Sequence, residues 1–147
     1  MKHILAALDF PDVTVPVVEA AAEQARMSGA KLWILHVAAP EPDFVGYEAG
    51  PQHVRDARAA ELREEHRALQ AIKEELAAEG LNAEALLISG FTADTILAEA
   101  ERLAADLIVI GSHGHSLLHD LLIGSVCVEV IRRSPLPVLA VPKRREA

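Results

Sequence analysis

Five short apolar runs, Ile4 to Leu8, Leu32 to Val37, Ala85 to Ile88, Leu107 to Ile110 and Val138 to Val141, constrain this chain more than any other feature in it. Each is of strand length and shows little polar alternation, which is how strands covered on both faces of a parallel sheet read. Stretches of helical period lie between them, so the chain order is β-α-β-α-β-α-β-α-β, an α/β arrangement. The 147 residues fit one domain, 1–147, with no internal repeat and no composition break that would start a second. Hydrophobic residues make up 51% and aromatics only 3%. The core must therefore be filled by Val, Ile, Leu and Ala, and ring platforms for stacking nucleic-acid bases are scarce.

The first helix is expected over Val15 to Ser28, with Pro16 in its first turn and Gly29 as a stop. The longest covers Val54 to Glu79, where Leu62, His66, Leu69, Ile72 and Leu76 form a stripe at helical spacing. A third runs from Ala93 to Ala104, with Thr92 as its cap and Ile96, Leu97, Ala100 and Leu103 turned inward. The fourth spans Ser125 to Arg133. Between the second strand and second helix, Ala39 to His53 carries Pro40, Pro42, Gly46, Gly50 and Pro51 without any period. A loop of that length fits either a cover over a ligand site or a surface excursion.

The formal charge of -8, from 14 basic and 22 acidic side chains, disfavours unspecific attraction to DNA, RNA or anionic lipid. A phosphate ligand would have to be held by local donors, which screening over about 8 Å permits. Cys127 is the single cysteine, so no intramolecular disulfide forms, and no CxxC spacing suggests zinc. It reads as a small buried apolar residue. Met1, Lys2 and His3 lead straight into the first apolar run, with neither a signal-peptide pattern nor a span of about 20 apolar residues. The expectation is a cytoplasmic protein free of membrane.

The segment Ile110 to Val126, IGSHGHSLLHDLLIGSV, carries the most chemistry. Gly111 leaves the fourth strand, Gly114 follows in a GxxG spacing, and after nine residues Gly124 and Ser125 open the last helix. Glycines let backbone approach phosphate oxygens, and a helix amino terminus offers unpaired N–H groups with about half a positive charge. Glycines that merely permit tight packing would leave the same spacing. The placement favours a ligand, because open parallel sheets bind theirs outside the carboxyl ends of strands, where the strand order reverses. A Walker A loop is excluded by the missing GK[ST] lysine, and a dinucleotide fold by the missing GxGxxG after the first strand.

Asp9 ends the first apolar run and has two candidate roles, accepting hydrogen bonds from a ribose or, like Asp12, capping the turn beside Pro11. His113, His115 and His119 lie close in sequence, but HxHx3H in a glycine-containing loop does not fix a metal-binding face. His113 and His115 instead suit phosphate donation when protonated. His36, inside the second strand, reads as a hydrogen-bonded core or edge histidine. No GxSxG elbow exists, and Ser112 beside His113 is adjacency without geometry, so no catalytic residue is assigned.

Taken together, ILAALDF at the amino end, LWILHV, the ISG ending the third strand, DLIVIGSHG, IGSV and the terminal SPLPVLAVP resemble the universal stress protein family, in its ATP-binding branch, over nearly the whole chain. The resemblance implies a five-stranded parallel sheet of order 3-2-1-4-5 with helices on both faces, Rossmann-like in the manner of the adenine nucleotide alpha hydrolases. It implies that Asp9 contacts the adenosine portion of ATP together with Ala7, Leu8 and Val37. Gly111, with Ile110 before it, Gly114, Gly124, Ser125 and Val126 would surround ribose and phosphates, with His113 and His115 beside them. ATP, ADP or AMP would be the cofactor, accompanied by Mg2+ or Mn2+, and two copies would pair through the last strand, Val138 to Val141. Pro11 stands where the family often has a small hydroxyl residue, and His113 and His115 where many relatives carry Arg or Lys. Imidazole loses its charge above about pH 6.5, so phosphate affinity is expected to weaken from about pH 6 to about pH 8.

The functional expectation is a nucleotide-dependent regulatory or stress-response module that answers to a protein partner. Its alternatives are a slow ATP hydrolase acting through Asp9 or the loop histidines, and a nucleotide-free dimerisation domain of the same fold.

Overall fold

In the computed structural model, which describes residues 1–9, 14–40, 52–113 and 123–143, strands and helices alternate throughout. The strands are β1 (His3–Leu8), β2 (Lys31–Ala38), β3 (Ala83–Ser89), β4 (Leu107–Gly111) and β5 (Val138–Val141). Between them lie α1 (Thr14–Ser28), α2 (Gln52–Ala78), α3 (Thr92–Arg102) and α4 (Ser125–Arg133). All four strand pairings are parallel and the sheet order is β3-β2-β1-β4-β5, as the family resemblance implied.

That order decides where the helices lie. From β1 the chain steps outward to β2 and β3, then crosses back to the far side of β1 for β4 and β5. Crossovers between parallel strands are right-handed, so reversing the direction of travel moves the helices to the opposite face. Accordingly α1 and α2 cover Ile4, Ala6, Leu8, Leu32 and Ile34, while α3 and α4 cover Leu5, Ala7, Leu35, Ile108 and Ile110. Alternate residues of β1 thus serve two cores, which is why the run from Ile4 to Leu8 shows no polar alternation. The outer strands β3 and β5 are mostly half-buried.

Helix ends follow backbone chemistry. Gly29 (φ 71°) and Gly80 (φ 87°) take the left-handed conformation just past α1 and α2. Helix α3 ends at Arg102, short of the expected Ala104, because Ala104 itself adopts φ 52°. The N–H of Ala105 donates to the Ala100 carbonyl at 2.9 Å and that of Ala104 to Glu101 at 3.1 Å, the paired bonds of a Schellman stop with alanine in the glycine position. The expected Thr92 cap is corrected too: Phe91 occupies the N-cap in extended backbone, with no side-chain cap bond. In α2 the inward stripe passes through Glu65 rather than His66, which is exposed; Glu65 finds a partner on the sheet in His36.

At the amino edge, the Asp106 carboxylate accepts the N–H groups of Lys2 (2.7 Å) and His3 (3.0 Å). These backbone bonds hold its carboxyl below the usual carboxylate range. No helix among the described residues is long and apolar enough to cross a membrane.

Candidate functional site

All five strands end at one edge, and the strand order reverses there between β1 and β4. Ala7 pairs with Ile110, so Leu8–Asp9 and Gly111–Ser112 leave the sheet side by side at this reversal. Ala7, Leu8 and Ile110 are buried, Val37 and Gly111 half-buried, and Asp9 is exposed at the strand end. Among the described residues the edge is therefore an apolar floor with the Asp9 carboxylate at its lip.

The start of α4 is drawn onto this floor. The N–H of Gly124 donates to the Ser112 carbonyl at 2.7 Å, closing the chain between β4 and α4 back on itself. Gly124 is the N-cap and provides no side-chain cap, and the first turn contains no acidic residue. The first N–H groups of an α-helix have no intrahelical acceptor, so those of Ser125, Val126 and Cys127 present a partial positive charge beside Gly111 and Ser112. Ser125 is exposed, adding a hydroxyl, and Val126 is half-buried against the α3–α4 core. Cys127 shares the turn but points into that core at 2% exposure, and burial pushes its thiol up, so it is a packing residue as expected from its isolation.

Ser112 and His113 do have geometry, contrary to the expectation of mere adjacency: Ser112 Oγ lies 3.0 Å from His113 Nδ1. The same Nδ1 accepts the N–H of Lys143 at 3.4 Å, and Ser112 N–H donates to Val141 at 2.8 Å. One ring nitrogen of His113 thus ties the end of β4 to the chain leaving β5, which makes the imidazole part of the edge's framework. Gly114 and His115 lie outside the described residues, as do His119, Pro11, Asp12 and positions 41–51 of the long loop. Among the described residues no group of three His, Cys, Asp or Glu side chains is placed to hold a metal ion.

Three side chains at this edge were missed by sequence reasoning. Thr14 is the first residue of α1; it is buried, and its Oγ1 has no partner among the described residues. Arg58 of α2 donates to the Ala39 carbonyl at the end of β2. Glu65 of α2 places Oε1 3.4 Å from His36 Nε2, while His36 Nδ1 lies 2.9 Å from the Leu8 carbonyl. A Thr just before the first helical stripe was the readable signal for one; Arg58 and Glu65 sat among many charges on a long helix and carried none.

The pattern that defines the universal stress protein family matches residues 1–142. The chain belongs to the universal stress protein family. It is 34% identical to the universal stress protein YxiE of Bacillus subtilis, covering 95% of this chain and 98% of that one. Among solved structures, a universal stress protein in complex with cAMP superposes with a TM-score of 0.71 at 26% identity, over 97% of this chain and 98% of that one. A universal stress protein of Archaeoglobus fulgidus in complex with dAMP shares the fold, with a TM-score of 0.65 at 24% identity over 96% and 98% of the two chains. In both of these family structures an adenine nucleotide is bound.

Proposed function

We propose that this universal stress protein binds ATP at the carboxyl edge of its sheet and acts as a nucleotide-dependent regulatory module. The observation that carries the reading is the 2.7 Å bond from Gly124 N–H to the Ser112 carbonyl, which sets an uncapped helix terminus against the end of β4. Main-chain donors converging there suit a phosphate chain in a protein whose net charge of -8 would otherwise repel it. The related structure that holds cAMP supports an adenine ligand. In this reading Ala7, Leu8, Asp9 and Val37 flank the adenosine, while Ile110, Gly111, His113, Gly114, His115, Gly124, Ser125 and Val126 surround ribose and phosphates.

Mg2+ or Mn2+ would come bound to the phosphates. Magnesium commonly keeps several waters and leans on one or two carboxylates, a role that the exposed Asp9 carboxylate at the end of β1 would suit. Nucleotide occupancy acts by differential affinity for two states, through a protein partner or through pairing of two copies along β5. Denaturing freshly purified protein and identifying the released nucleotide tests the ligand. Calorimetry with ATP and magnesium on the stripped protein then tests the site, and no heat and no stabilisation would sink the proposal.

A further inference from the structure

We infer that the amino terminus of α1, with the Thr14 hydroxyl, is a second anion subsite of this edge, one that takes the terminal phosphate of the nucleotide; the inference rests on the nucleotide reading of the same edge. β1 and β2 run parallel, so α1 carries the chain back from the carboxyl edge of the sheet to its amino edge, and its amino terminus lies at the carboxyl edge. The helix packs against β1 and β4, the two strands of the reversal, on the face opposite α4. Its first turn contains no acidic residue. The leading N–H groups of α1 therefore present the same partial positive charge as those of α4.

Thr14 is the second and independent pointer. It is 7% exposed and its Oγ1 is buried, yet that oxygen has no hydrogen-bond partner among the described residues. Thr14 extends the buried stripe of Val17 and Ala21, which packs with Leu8, Val109 and Val141, so its side chain is turned to the sheet. Side chains on a helix lean toward its amino terminus, which carries Oγ1 toward the ends of β1 and β4. A buried hydroxyl without a partner is costly, and an incoming anion supplies one. Pro16 has no N–H, so one donor of the first turn is missing and the hydroxyl replaces it. The amino termini of α1 and α4 meet the reversal from opposite faces, so a single phosphate group does not reach both. A chain of phosphates crossing the edge does, which makes the α1 terminus a subsite that a triphosphate fills and a monophosphate leaves empty.

Two variants separate this role from helix capping. Thr14→Val keeps the shape of the side chain and removes the hydroxyl, whereas Thr14→Ser keeps the hydroxyl. In calorimetric titrations wild type is expected to bind ATP with magnesium more tightly than AMP. Thr14→Val should bind ATP about tenfold or more weakly, the loss of a hydrogen bond to a charged group, with its AMP affinity within about twofold of wild type. Thr14→Ser should hold ATP affinity within about threefold. The nucleotide-free Tm of Thr14→Val should equal or exceed that of wild type, because a buried hydroxyl without a partner contributes nothing to the fold. A Thr14→Val loss shared equally by ATP and AMP, a serine variant as weak as the valine one, or a nucleotide-free Tm lowered by valine would each overturn the inference. Wild-type protein with no affinity for ATP would sink the nucleotide reading and this inference together, whereas ATP binding indifferent to Thr14→Val would sink the inference alone.

Discussion

Replacing Gly124 by alanine separates a ligand-driven glycine from a structural one. Gly124 sits at φ -63° and ψ 149°, extended backbone that any residue adopts, so a methyl group brings no backbone strain. Its N–H bond to Ser112 and its carbonyl's bond from Val128 N–H at 3.1 Å involve main chain only and survive the change. Glycine is somewhat better than alanine at an N-cap, a difference of about 0.5–1 kcal/mol. In a protein of this size that lowers Tm by roughly 2–4 °C at most. Binding should respond far more strongly. A phosphate oxygen drawn against this turn would be pushed off the helix amides, and losing one charge-assisted hydrogen bond of about 1.5–3 kcal/mol weakens Kd by about 10- to 150-fold. Calorimetric titration with ATP and magnesium reads the affinity, and thermal unfolding with nucleotide reads it independently. Ligand at 100 times the wild-type Kd stabilises wild type by about 2.7 kcal/mol, and a variant weakened tenfold by only about 1.4 kcal/mol. An unchanged Kd accompanied by a Tm drop of many degrees would refute the reasoning and make Gly124 a packing device.

Three further outcomes are expected. Ala104→Gly should raise stability by up to about 1 kcal/mol in chemical denaturation, because Ala104 holds φ 52° in the stop of α3 and a left-handed L residue costs about 1–2 kcal/mol, partly offset by glycine's added freedom when unfolded; a loss of stability would refute this. Gly90→Ala would place its Cβ 2.5 Å from Thr95 Oγ1, forcing Thr95 out of its rotamer at about 1 kcal/mol, and in a Thr95→Ala background that penalty should vanish. The Asp106 carboxyl is held low, so the stability it contributes should be fully present above about pH 3.9, its unfolded value, and disappear as pH falls through its lower folded value. The Tm gap between wild type and Asp106→Asn should close over that acidic window, and a gap that persists below it would show the bonds to Lys2 and His3 to be inconsequential.

The alternation of elements was legible because both kinds of signal were strong. β1, β2 and β4 serve two cores at once, so their runs are apolar throughout except for His36 in β2, and Gly29 and the final Val138 to Val141 run fall where expected. What escaped were decisions made by single contacts. Thr92 has the chemistry of a cap but lies one residue inside the helix, because Phe91 already supplies the extended backbone the N-cap requires. His66 and Glu65 both fall within reach of the stripe marked by Leu62 and Leu69, and periodicity cannot choose between neighbours. Glu65 turns inward because His36 waits on β2, a long-range pairing invisible in the local pattern.

The candidate site divides along the same line. Its location followed from topology, since a parallel sheet of order β3-β2-β1-β4-β5 has one reversal, and both Asp9 and the glycine motif bracket it in sequence. Its framework did not. The bond between Gly124 and Ser112, the tie from His113 to Lys143 and the grip of His36 on Leu8 join residues 12, 30 and 28 positions apart. Each joins a strand end to a different element. The edge is consequently held by main-chain carbonyls and imidazole nitrogens rather than by the side chains that advertise a site, and a ligand bound there would feel the alignment of β1 and β5 as much as the identity of any one residue.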